Sequence, residues 1–72
     1  MRLPVYALLD SSPLADDRVA CRKLIELYKE DEIRVDWYGF DDEDEVYREA
    51  EELKERYDKI IIYDKGAFKW YE

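Results

Sequence analysis

The feature that most constrains this chain is an apolar run near its start, Leu3-Pro-Val-Tyr-Ala-Leu-Leu9, which stops abruptly at Asp10-Ser-Ser-Pro13. A run that is apolar at odd and even positions alike has no solvent-facing side. As a strand it must be covered on both faces. Pro4 sits near its beginning, where a missing amide proton is tolerated. Asp10, Ser11 and Ser12 are turn residues whose short side chains bond to local backbone, and Pro13 fixes its own φ. Asp16 or Asp17 then stands where a helix cap is needed. From Asp17 to Glu30 the apolar residues Ala20, Cys21, Leu24, Ile25, Leu27 and Tyr28 fall on one side at helical spacing, and Arg18, Arg22, Glu26 and Lys29 on the other. Strand, turn and core-facing helix form the unit onto which the remaining chain is expected to pack.

Ile33-Arg-Val-Asp-Trp-Tyr38 alternates with period two, setting Ile33, Val35 and Trp37 on one face. That alternation reads as a strand nearer an edge, broken by Gly39-Phe40. Asp41-Asp-Glu-Asp-Glu45 begins a second helix, where carboxylates complement the positive end of the helix dipole. Its stripe of Val46, Tyr47, Ala50, Leu53 and Tyr57 extends it to about Tyr57, and Asp44 with Arg48 and Glu52 with Arg56 have favourable spacing. Lys59-Ile-Ile-Ile-Tyr63 reads as another interior strand, Asp64-Lys-Gly66 as a tight turn, and Ala67 to Tyr71 as the return arm of a hairpin. The order is β-α-β-α-β-β, one domain over residues 1–72, without repeats or linkers.

With 72 residues and a single cysteine, there is no disulfide framework to support a core worth roughly 3–5 kcal/mol. A lone cysteine without a secretory leader is the usage expected of a reducing cytoplasmic setting. No apolar run approaches the roughly 20 residues that span a bilayer, so a soluble protein without membrane contact is expected. Twenty acids against twelve bases give a net charge of −8, which repels nucleic acid and favours a basic partner. The same charge also keeps a small protein dispersed. Seven tyrosines, two tryptophans and two phenylalanines argue against disorder despite that charge. The absence of histidine excludes a Ser-His or Cys-His nucleophile pair.

Val5-Tyr6, the Asp-Ser turn and a helix with a cysteine near its start resemble the active-site strand and helix of small glutaredoxins, and the element order resembles the thioredoxin-like core. That resemblance implies a mixed four-stranded sheet in the order 2-1-3-4, with parallel first and second strands, an antiparallel hairpin of the third and fourth at one edge, and helices on opposite faces. A plain three-strand parallel sheet with an added hairpin strand is the alternative. The family motif is Cys-x-x-Cys opening the first helix; here it is Arg18-Val19-Ala20-Cys21, so the nucleophilic first cysteine is replaced by arginine. Asp58-Lys59 stands where the family has a cis proline, Trp70-Tyr71-Glu72 replaces its glycine pair, and its final helix is missing. Dithiol exchange therefore cannot operate, and no cofactor is expected.

Four constellations carry whatever chemistry the chain has. Cys21 is either a thiol able to form mixed disulfides or a small hydrophobe on the core stripe. Asp10, with Ser11, Ser12, Asp16 and Asp17, ends a central strand, where α/β folds place ligands. Leu8-Leu-Asp-Ser-Ser-Pro-Leu14 also resembles the opening of PIN-type nucleases, which would make Asp10 a metal ligand, although 72 residues leave little chain for the remaining acids. Asp41 to Glu45 lack the alternation and central glycine of a calcium loop and suit a first helical turn. Last, the missing final helix would leave aromatic surface open on the hairpin. Phe68 and Trp70 share one face of the last strand and Tyr71 the other, with Trp37 a further contributor. The function expected is non-catalytic binding of a protein partner, or of a second copy, through an acidic and aromatic surface. The alternatives are a single-thiol redox protein using Cys21 and a metal-dependent nuclease fragment using Asp10.

Overall fold

A computed structural model describes residues 3–11 and 15–71. Along them run strand β1 (Val5–Asp10), helix α1 (Ala15–Glu30), strand β2 (Arg34–Gly39), helix α2 (Glu43–Leu53), and strands β3 (Lys59–Asp64) and β4 (Ala67–Tyr71). The sheet is ordered β2-β1-β3-β4. β1 lies parallel to both β2 and β3, and β3 pairs antiparallel with β4. The α/β class, the mixed sheet and its order are those expected. The parallel β1–β3 pairing is that of the stated alternative, a three-strand parallel sheet extended by one hairpin strand.

The chain leaves β1 toward β2 through α1, then returns past β1 to β3 through α2. Parallel crossovers are right-handed, so two crossovers travelling in opposite directions put their helices on opposite faces. The buried side chains sort accordingly. Ala7, Leu9, Ile60 and Ile62 meet Val46, Ala50 and Leu53 of α2, while Leu8, Ile61 and Tyr63 meet Cys21 of α1. The α2 side is the better filled. On the α1 side a small buried cluster is edged by half-buried Tyr6, Leu24, Ile25, Tyr28 and Val35. No described helix is long and apolar enough to cross a membrane.

Several boundaries differ from the sequence reading, each for a local reason. α1 already begins at Ala15, so Asp16 and Asp17 lie in its first turn instead of capping it. Ser12, Pro13 and Leu14 of the expected turn lie outside the described residues. Leu27, expected on the core-facing arc, is 60% exposed on the flank of α1 that also carries Ala20 and Leu24. α2 starts after an N-cap at Asp42, whose carboxylate accepts from the Asp44 amide at 3.0 Å. It stops at Leu53, four residues short of Tyr57. Its end is closed by Arg56 and Tyr57 amides that both donate to the Leu53 carbonyl. α1 ends without glycine: the Glu32 amide bonds the Lys29 carbonyl, the Ile33 amide bonds the Tyr28 carbonyl, and Glu32 takes φ 62°.

Where a cis proline was absent from the sequence, Asp58 anchors the junction into β3. Its amide donates to the Val5 carbonyl at 2.9 Å, and its Oδ2 accepts from the Val5 amide at 2.7 Å. The β3–β4 turn places Lys65 at φ 51° and Gly66 at φ 80°, the two-residue geometry whose twist matches the strands it joins.

Candidate protein-binding surface

The hairpin register sets Trp70 opposite Ile61 and Phe68 opposite Tyr63, so both aromatic rings project on the α1 side of the sheet. α1 does not reach over them. Phe68 remains 38% and Trp70 49% exposed. Between α1 and β4 runs a gutter of about 140 Å³ lined by Leu24, Tyr28, Ile61, Phe68, Lys69 and Trp70. Its walls are held by ring contacts. Tyr6 stands edge-on to Tyr28 at 5.4 Å and to Trp70 at 6.0 Å, Phe68 lies 4.5 Å from Tyr63, and Lys59 Nζ sits 5.0 Å from the Trp70 ring centre. Burial holds the Tyr28 phenol above its ordinary pKa, with Tyr6 and Asp31 adding to the shift. Tyr28 is thus neutral at any physiological pH, as suits an apolar wall.

Tyr71 belongs to the opposite face. Its hydroxyl donates to Glu51 of α2, and Lys69 beside it lies 5.1 Å from the Tyr47 ring. Glu51 is also bridged by Lys54 at 2.5 Å. The Lys54 ammonium first, then the Tyr71 hydroxyl, holds the Glu51 carboxyl below its ordinary pKa. Tyr71 is therefore half-buried beside α2, and the more open aromatic pair is Phe68 and Trp70.

Trp37 is not part of that surface. It stands at the carboxyl end of β2, 36% exposed, and its Nε1 donates to Asp10 Oδ2 at 3.3 Å. Asp10 is 3% exposed, the one buried charged residue among those described. The indole bond compensates its desolvation in part. Ser11 ties the same corner to β3, donating through its amide at 3.4 Å and its hydroxyl at 3.3 Å to the Tyr63 carbonyl. Asp10 thus sits at the carboxyl end of the central strand, as read from sequence, and binds neighbouring strands together. Asp64 at the end of β3 faces Lys69 at 3.8 Å. Among the described residues no group of three or more carboxylates or thiols is gathered closely enough to hold a metal ion.

Cys21 is fully buried in the second turn of α1, against Leu8, Ile61 and Tyr63. In that setting the thiol packs as a small hydrophobe. Asp42 of the acidic run caps α2, and Glu43, Asp44 and Glu45 form its first turn.

A further cluster, outside the candidates named from the sequence, stands at the outer edge of β2. Arg34 and Asp36 stand two apart on a strand and so share a face, the α2 face. Their side chains form a two-pronged pair, Nε to Oδ1 and Nη2 to Oδ2, each at 3.1 Å. The Tyr57 hydroxyl donates to Asp36 Oδ2 at 2.9 Å and shares a 2.5 Å bond with the Tyr38 hydroxyl. Arg34 first, and Tyr57 with it, holds the Asp36 carboxyl below its ordinary pKa, against the opposing effect of burial. Burial, then the bonds to Tyr38 and Asp36, raises the Tyr57 phenol. The i, i+2 alternation of opposite charges was the available signal.

Comparison with protein-family models, with curated proteins and with solved structures finds no match for this chain.

Proposed function

We propose that this protein is a non-catalytic binding domain of thioredoxin-like element order that receives an apolar helix of a basic partner protein in the gutter between α1 and β4. The observation that carries the proposal is the half-open pair Phe68 and Trp70, set beside Leu24 and Tyr28 on the less filled side of the sheet. A helix is about 10 Å wide and strands lie about 4.8 Å apart, so one helix covers two strands and a four-stranded face takes two. α1 is one of them. The strip over β3 and β4 is left for the second, and the gutter seats an apolar side chain of it against Phe68 and Trp70.

Charge selects the partner. Residues 41–56 hold nine carboxylates against three bases, whereas α1 carries four of each. The acidic side draws a basic protein toward the domain, and the neutral flank of α1 does not oppose an apolar helix docking beside it. Half-exposed aromatic rings in a shallow apolar trough are also what energetically dominant interface residues look like.

The test is calorimetric titration with a synthetic amphipathic helix bearing a leucine stripe and lysine flanks. Trp70→Ala and Phe68→Ala should each weaken binding by about thirtyfold, the cost of truncating a dominant interface aromatic. A peptide of the same charge with serines in the stripe should not bind. Binding unaffected by either substitution would overturn the proposal.

A further inference from the structure

β2 is one free edge of the sheet. Its inward groups are identified by two bonds: the Arg34 amide donates to the Pro4 carbonyl and the Phe40 amide to the Asp10 carbonyl. Because successive residues turn their amide and carbonyl groups to opposite edges, residues 34, 36, 38 and 40 face β1. Val35 and Trp37 therefore turn theirs outward, where no described strand pairs with them. Beside this edge lies a cavity of about 280 Å³ whose apolar lining is Leu3, Ile25, Ile33 and Val35, with Lys29, Glu32 and Arg34 also bordering it.

We infer that β2 pairs antiparallel with β2 of a second copy, about a two-fold axis through Val35, to make a continuous eight-stranded sheet. This inference stands apart from the gutter, which lies on the other side of the molecule's sheet order. Its support is the charge pattern. With Val35 opposite Val35 of the second copy, Arg34 falls opposite Asp36 of that copy, and Asp36 opposite its Arg34. Ile33 falls opposite its Trp37 on the apolar face. The two Val35 residues exchange amide-to-carbonyl bonds, and each Trp37 amide reaches the other copy's Ile33 carbonyl. The Ile33 amide is not needed, being already bonded to the Tyr28 carbonyl at 2.9 Å.

No neighbouring register serves. A shift by one residue sets outward groups against inward ones and forms no ladder. The next hydrogen-bonded register in one direction puts Asp36 against Asp36, and in the other Arg34 against Arg34, and like charges directly opposite are destabilising. Opposite charges at the close non-hydrogen-bonded positions are favourable, so the sequence selects one alignment. The other free edge lacks this property. On β4, outward-facing residues are Phe68 and Trp70, and symmetric pairing sets Lys69 against Ala67, Lys69 or Tyr71, with no complementary charge. The added strand also covers the cavity beside Ile33 and Val35.

Sedimentation equilibrium at physiological salt tests this by charge exchange. The wild type is expected to dimerise. Arg34→Asp alone sets acid against acid and Asp36→Arg alone sets base against base, so each should weaken self-association by at least about tenfold. An equal mixture of the two variants restores both cross-strand pairs and should recover dimer, as should the double exchange R34D/D36R. Val35→Pro removes only an outward amide proton and should yield a folded monomer by circular dichroism. A wild type monomeric into the millimolar range overturns the inference. So do single exchanges that leave the dimer intact, folded variants whose mixture stays monomeric, or a dimeric Val35→Pro.

Discussion

Alkylation of Cys21 distinguishes a packed core thiol from a reactive one. Its side chain has no solvent exposure and is enclosed by Leu8, Ile61 and Tyr63, contributed by the two central strands. Among the described residues it is covered by β1 and β3, so its exposure requires α1 to lift from the sheet. For a domain of this size that opening costs nearly the whole unfolding free energy, roughly 3–5 kcal/mol. At about 1.36 kcal/mol per decade, native labelling should be slowed by roughly 10²–10⁴-fold relative to the denatured chain. The assay is the rate of reaction with a maleimide in buffer and in concentrated guanidinium, repeated across pH. The native rate should rise with denaturant in step with unfolding. Native labelling within a few-fold of the denatured rate near neutral pH, with a thiol pKa well below the ordinary ~8.5, would refute this reasoning and favour the single-thiol redox alternative.

Glu32 holds a left-handed conformation at φ 62°, which roughly costs 1–2 kcal/mol in a residue with a Cβ. Glu32→Gly should stabilise the fold by about 0.5–1 kcal/mol after glycine's larger unfolded-state entropy is subtracted, read as a higher urea midpoint with unchanged slope. Asp36 and Glu51 both have folded pKa values below their unfolded ones. Their contribution is therefore present above the ordinary carboxylate range and is lost as pH falls through the folded values. Urea midpoints should drop on acidification below about pH 4, and Asp36→Asn should flatten that acid limb while lowering stability at neutral pH.

The sheet order was legible because each strand carries its own burial signature. Leu3 to Leu9 and Ile60 to Ile62 are apolar without alternation and lie in the middle, while Ile33 to Tyr38 alternates and lies at an edge. Helix ends were less so. The stripe through Tyr57 continued past the true end of α2 because Tyr57 packs against the same core from a turn. Leu27 matched the helical period yet faces out, since the arc of α1 that a sheet can cover is narrower than the apolar arc the sequence supplies. The hairpin alternation located Phe68 and Trp70, but not their neighbours Leu24, Tyr28 and Tyr6, which come together only through the packing of α1 on the sheet. The Arg34–Asp36 pair was visible as alternating charge, although its meaning depends on β2 having a free edge.

The gutter itself is tested most directly by amide chemical-shift mapping during titration with the leucine-striped, lysine-flanked helix. Shifts should concentrate at Leu24, Tyr28, Ile61, Phe68 and Trp70, leaving Val46, Ala50 and Leu53 on the buried face of α2 unchanged. Shifts confined to the acidic residues 41–56, with the gutter silent, would mean that charge alone recruits the peptide and would contradict the account.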